Sequence, residues 1–420
     1  MILRSQSEPP PGKTVSRSRR YDRRLWVLFL GRVITSTGYS IAFPFFGIYF
    51  HTSLGVSMST VGAIIAFSTL MGAFGKLLGG ELADKIGRKR VMIAALFGRS
   101  LATAALALLA AQAEPQWLPM SALFIVGTWF GFFFDPAAEA MVADLSDPSQ
   151  RVQGYSLLRV GGNLGWAVGG GVGGLIGIHS YASLFFGTAV VTMVALATLL
   201  LLVVETRPER VGRQGGSWLP PLLGPGSPLS QRAFLHFALA TLAIHIVMSQ
   251  LSMSLSVYGK TALALPESML GLLFTINGMI IVMLQIPAAS WIGRRRLTTS
   301  VAIGCLLYAA GYGSASLAVD FWTLAGCVVV FSFGELLVAP SVVSLAANLA
   351  PAELRGRFLG AFGLFSMLGR CLGPLLGGVN LDFFRSAPWI HWLVISGLAG
   401  GSMLLFLGLR GRVGVQADRP

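Results

Sequence analysis

Between two long apolar stretches the chain reads GGELADKIGRKR, residues 79–90. Six of these twelve residues are charged, whereas residues 58–78 hold one ionisable side chain, Lys76, and residues 91–112 hold one, Arg99. An apolar run of about 20 residues is the length of helix that crosses a bilayer. A short charged island between two such runs therefore reads as a place where the chain leaves a membrane, turns and re-enters. Gly80 permits close helix packing. Gly87 allows a tight turn that residues with a Cβ resist. Asp84 is suited to a helix N-terminus, where its charge meets the positive end of the dipole.

The same pattern continues in both directions. Of 420 residues, 54% are hydrophobic and 11% charged, against about 25% charged in soluble domains. Apolar runs fall near residues 25–50, 58–80, 91–112, 119–142, 155–178 and 183–204. A second set falls near 233–257, 268–291, 298–317, 321–346, 357–380 and 388–409. These segments are apolar nearly all round, so length and flanking charge locate them better than periodicity. The expected fold is an all-α membrane protein of twelve transmembrane helices in two six-helix bundles, residues 25–204 and 233–409. The Pro- and Gly-rich stretch 205–232 reads as a connector, residues 1–24 as a disordered N-tail, and 410–420 as a C-tail. A secretory signal is disfavoured, because the first apolar stretch is too long for one.

The net charge of +14 raises the question of nucleic acid. Location argues against it. Numbering the runs 1 to 12, alternate loops on one side, together with both tails, hold 24 of the 31 Lys and Arg residues; the other side holds only Lys260 and Arg385. Such one-sidedness is the orientation signal of a membrane protein and predicts cytoplasmic N- and C-termini. Cys305, Cys327 and Cys371 all lie within apolar runs, where they read as small packing residues and not as a disulfide framework.

The chain also repeats itself. Shifting it by 204 residues places Pro136 on Pro340, Ala143 on Ala347, Leu145 on Leu349 and Arg151 on Arg355. The same shift carries Gly165, Gly169, Gly173 and Gly174 onto Gly369, Gly373, Gly377 and Gly378. Two parallel six-span halves around a central cleft are a known transporter plan.

Residues 79–90 resemble the loop motif Gly-x-Leu-Ala-Asp-Arg-x-Gly-Arg-Lys of the major facilitator superfamily. Gly80, Leu82, Ala83, Asp84, Gly87, Arg88 and Lys89 match, and Lys85 replaces the first Arg. The resemblance implies a conformational lock in which Asp84 reaches the start of span eleven and Arg88 pairs with Asp144. The alternative is a solvated loop that only sets topology. Gly369-x-x-x-Gly373-Pro374-x-x-Gly377-Gly378 in span eleven resembles the antiporter motif of the drug:proton branch, which in that family lies in span five. Span five here keeps the glycines but has Gly170 in place of the proline. The segment FDPAAEAMVADLSDPSQR, residues 134–151, is similar to the end of span four in bacterial multidrug exporters.

Ionisable groups within a span cost about 3 kcal/mol on insertion scales, so each needs a partner or a task. Arg32, Arg99 and Asp135 fall at one depth, about 12 Å from the boundary at 1.5 Å per residue. Glu139 shares a helical face with Asp135. Because the resemblance implies that spans one, four, seven and ten line a cleft, Arg32 and Asp135 are expected to pair across it. Asp135 or Glu139 would then exchange a proton, or the pair would be a static brace. Glu335 in span ten is a candidate for proton or cation binding, or else a partner for Arg370. Lys76 and Arg159, closer to the boundary, are expected to snorkel toward it. Tyr39, Gln250, Asn277, Gln285, His236, His245, Met248 and Met253 are further polar or adaptable candidates.

These readings lead to a monomeric secondary transporter in a cell membrane, exchanging protons for small hydrophobic or amphipathic molecules. A facilitator or symporter of a polar metabolite on the same fold, and a non-transporting membrane receptor, stay open. No enzyme, cofactor or metal site is expected: phosphate-loop, zinc-protease and nucleophile-elbow motifs are absent from the sequence.

Overall fold

The computed structural model describes residues 23–146, 151–206, 227–351, 354–414 and 416–419. Most of the expected N-tail and residues 207–226 of the connector lie outside the described residues. Among the described residues twelve long helical segments follow one another. The first six are α1 (Arg24–Ser53), α2 (Met58–Ile86), α3 (Arg88–Ala110), α4 (Trp117–Leu145), α5 (Arg151–Gly177) and α6 (Tyr181–Leu202). The second six are α7 (Arg232–Thr261), α8 (Glu267–Ile292), α9 (Leu297–Ala315), α10 (Phe321–Leu349), α11 (Arg355–Phe383) and α12 (Trp389–Leu409). All but α5 and α9 are, by length and apolarity, long enough to cross a membrane. Continuous helix is what lipid demands, since no water is present to satisfy a free backbone N–H or C=O.

Exposure follows the same logic inverted. Large apolar side chains such as Leu201 (82% exposed) and Ile286 (79%) point outward, which in water would be an aggregation surface and in lipid is the proper solvent. The interior is aromatic: Tyr312 stacks on Phe331 at 4.8 Å and on Trp392 at 5.5 Å in the second half, and Phe46 stacks on Phe124 at 3.8 Å in the first.

Each half is built on the same seams. In the first, α1 packs along α5 and α6, and α3 packs on α4 and α6; in the second, α7 packs along α11 and α12, and α9 packs on α10 and α12. The halves meet chiefly along two lines, α2 with α11 and α5 with α8, and α1 also touches the last turns of α7. Two helices are broken at mid-depth. In α4 the α-helix stops at Gly131 and resumes at Phe134; in α7 a 3-10 turn, Ser249–Leu251, interrupts it.

The C-tail is not a free tail. Asp418 is buried and caps the start of α9, accepting from the Thr298 backbone N–H and hydroxyl at 2.8 Å each.

Candidate functional site

A cavity of about 1070 Å3 lies between the halves. Its wall is mainly apolar: Tyr39 and Phe43 of α1, Phe132 of α4, Trp166 of α5, Met248 of α7 and Met367 of α11. It runs from Tyr39 and Pro374 at mid-depth to Leu77, Val343 and Gly360, nearer the end where the basic loops cluster. The volume matches small-molecule sites, and the apolar wall with few polar groups is their usual composition.

At the far end the halves are closed, and glycine makes the closure possible. A Cβ at Gly378 of α11 would collide with the Met58 carbonyl of α2, and one at Gly62 of α2 would collide with the Pro374 carbonyl of α11. Along the other line, Gly174 of α5 meets α8 backbone at Glu267 and Gly271, while Thr275 donates to the Ala167 carbonyl at 2.8 Å. Polar clamps reinforce both lines. Asp382, near the end of α11, accepts from the Met58 N–H at 3.1 Å and the Ser59 N–H at 2.7 Å, so its charge caps the start of α2. Glu267 is shared by Lys260 at 2.8 Å and the Tyr181 hydroxyl at 2.8 Å.

The repeated glycines divide their labour. Gly165, Gly169 and Gly173 abut α1 backbone at Val33, Thr37 and Ile41, whereas Gly369, Gly373 and Gly377 abut α7 at Leu242, Ile246 and Gln250. Gly174 and Gly378, the fourth of each set, face the other half. Gly170, where the antiporter motif would have proline, sits against Phe274 of α8 at 2.5 Å for a notional Cβ.

Arg32 and Asp135 form an ion pair, and Lys76 joins Asp135 at 3.4 Å. The three side chains therefore tie α1, α2 and α4 together within the first half and do not bridge the cleft, which corrects the expected cross-cleft contact. Lys76 and Arg159 line the cavity, so they turn inward to water and do not snorkel to the membrane surface. Arg99 stacks its guanidinium over the Tyr39 ring at 4.9 Å, a cation–π contact in place of a carboxylate. Glu139 is exposed one turn from Asp135.

In the second half Glu335 accepts from Asn277 at 3.1 Å, and Asn277 also donates to Ser332 at 2.9 Å. Among the described residues Glu335 and Arg370 form no ion pair, so the alternative that they brace one another is not what the structure holds. Arg370 lines the cavity with Ser366, Met367 and Pro374 on the same helical face. His245 and Met248 also line it. Gln250 and Met253 are buried away from it: Gln250 donates to the Ile246 and Gly373 carbonyls, joining α7 to α11. His236 sits outside the cavity against the Leu405 carbonyl, 2.7 Å, and Arg412.

At residues 79–90 the turn is a single residue. Gly87 lies at φ +112° between α2 and α3. Arg88 is buried, meeting Asp84 at 2.7 Å, Asp144 at 3.3 Å and the Ala83 carbonyl at 2.6 Å. Lys89 donates to the Leu200 carbonyl at 3.0 Å. Sequence reading missed Glu205, which lies just past the end of α6 and accepts from the Arg88 N–H at 2.8 Å, capping α3. Its only sequence signal is an acid next to an apolar run, 117 residues from its partner.

The arrangement of two six-helix halves, a central cavity and inter-half seams is matched by known proteins. The Major Facilitator Superfamily model matches residues 28–374. The Na+, Li+, K+/H+ antiporter of Planococcus maritimus is 25% identical, the match covering 84% of this chain and 89% of that one. The multidrug resistance protein MdtH of Aeromonas hydrophila is 26% identical, covering 94% and 96%. Among solved structures, a POT family transporter in complex with a thioalcohol-conjugated peptide superposes with a TM-score of 0.72 at 15% identity, covering 93% of this chain and 96% of that one. The chain belongs to the Major Facilitator Superfamily.

Proposed function

We propose that this protein is a proton-driven exporter of small hydrophobic or amphipathic molecules, working by alternating access in a cell membrane with both termini cytoplasmic. The cavity carries the reading: a largely apolar chamber between two bundles that close beyond it, at the end opposite the basic loops. With the basic loops in the cytoplasm, this is the inward-facing state. The multidrug and cation/proton antiporter names among the relatives support the same assignment.

Glu335 is the proton carrier in this reading. Asp135 is neutralised by Arg32 and Lys76, so giving up its charge would strand two cations. Glu335 hydrogen-bonds to the neutral Asn277 and makes no ion pair among the described residues, so a proton can come and go without breaking one. Loss of that proton changes the balance between inward- and outward-facing states, which is how coupling arises. Asp84 and Arg88 at the basic end would form the corresponding lock when the cleft opens outward.

The test is substrate efflux in proteoliposomes under an imposed pH gradient. E335Q is expected to lose gradient-driven efflux while still binding substrate; undiminished efflux in E335Q would remove Glu335 from the coupling step.

A further inference from the structure

Arg370 has no place in the mechanism so far. It stands fifteen residues into α11 from Arg355, about 22 Å from the helix start at 1.5 Å per residue. That is close to the middle of a hydrocarbon core about 30 Å thick. A cation at such depth is costly unless it faces water or a counter-charge. Arg370 faces the cavity. Among the described residues it makes no ion pair.

The neighbouring carboxylates are otherwise engaged. Asp135 holds Arg32 and Lys76. Glu139, on the same helix face, lies within the fields of those two cations. Glu335 is held by Asn277 and feels the charge of Arg159 from the other half. His245, which packs beside Gly369 and lies within reach of Arg370's field, is no counter-charge. The charged residues lining the cavity are Lys76, Arg159 and Arg370, and no carboxylate is among the lining residues described. Lys76 already has Asp135. Arg159 and Arg370 thus present positive charge from opposite halves to one chamber whose remaining wall is aromatic and aliphatic.

We propose that the cleft takes its amphipathic substrate through an anionic group, a carboxylate, sulfonate or phosphate, seated on Arg370 with Arg159 facing it from the first half. Tyr39, Phe43 and Trp166 hold the apolar body. A guanidinium offers the forked donor pair that suits two oxygens of one carboxylate, sulfonate or phosphate, and an anion touching both halves would draw them together. This rests on the transporter reading above and adds the chemical class of what is carried.

Two fluorescent probes with one apolar body test it: pyrenebutyrate, and its analogue ending in trimethylammonium. Binding is read as saturable energy transfer from tryptophan, in nanodiscs of neutral lipid. The wild type is expected to bind the carboxylate saturably and the ammonium analogue at least about tenfold more weakly. R370Q should weaken carboxylate binding about tenfold, R370K should restore only the part that charge alone supplies, and R159Q should fall between. Equal binding of the carboxylate by R370Q and wild type, or tighter binding of the ammonium analogue, overturns the proposal. If R370Q is not monodisperse, R159Q and ionic strength decide. Weaker binding on going from about 0.03 M to about 0.3 M salt supports the proposal, and no change in either measurement overturns it.

Nanodiscs containing phosphatidylglycerol separate the two sources of anion. Unchanged affinity assigns the site to a soluble amphiphile. Competitive loss assigns it to a lipid headgroup and overturns the substrate assignment. Failure here and failure of the coupling reading look different: a carboxylate probe that binds but ignores a pH gradient sinks only the coupling, whereas gradient-driven movement confined to the ammonium probe sinks only the anion.

Discussion

Asp135 answers two cations at once, and its removal leaves both without a counter-charge. Its side chain is about a quarter exposed, so solvent softens the loss. We expect D135N to cost about 2 kcal/mol of stability, read as a lower thermal midpoint in detergent, whether or not substrate is present. Gly87 gives a second prediction at this scale. At φ +112° and with a notional Cβ 2.5 Å from the Glu205 carboxylate, G87A combines backbone strain with loss of the α3 cap. A cost of about 1–3 kcal/mol is expected, and E205Q should lose only the charge part of it. What was legible here depended on local pattern. The Arg88–Asp144 pair was readable because the motif around it is long. Lys76 and Arg159 were misplaced because depth along a helix does not tell which face a side chain takes, and only the facing helices decide between lipid and cleft.

At the scale of the helices, glycines of similar spacing do two different jobs. Gly173 lies on a seam inside the first half, where a Cβ would strike the Ile41 carbonyl; Gly378 lies on a seam between halves, where one would strike the Met58 carbonyl. G173A should therefore destabilise the bundle in every state, lowering yield and thermal midpoint. G378A should spare the bundle and disfavour the inward-facing state, because Gly378 lies against the Met58 carbonyl at the end closed in that state. Spin-label distances between the halves at the closed end distinguish the two: longer distances gain population in G378A and not in G173A. Asp382 belongs to the same seam. D382N removes a charge from the start of α2, a contribution of about 1 kcal/mol, and the inward-to-outward population ratio should fall about fivefold. The repeat at a shift of 204 residues singled out these glycines in the sequence, since they recur at one spacing. It could not separate the within-half from the between-half contacts, because a glycine's partner is not written beside it.

For the whole molecule, apolar length and one-sided charge were enough to read twelve helices in two halves, because lipid leaves a chain so few options. The cavity was not legible. It exists where α4 and α7 are broken and where helices of both halves turn small or aromatic faces toward one another, an outcome of packing and not of any one segment. Alternating access requires the α5–α8 seam, shut in this structure, to open during transport. A Cβ placed at Gly171 would lie 4.0 Å from the Thr275 Cβ, within disulfide range. Transport by the G171C/T275C protein, with the disulfide formed quantitatively by oxidation in proteoliposomes, measures this most directly. We predict that oxidation abolishes substrate movement and that reduction restores it; transport at the wild-type rate through the cross-linked protein would mean that the seam stays shut while substrate crosses.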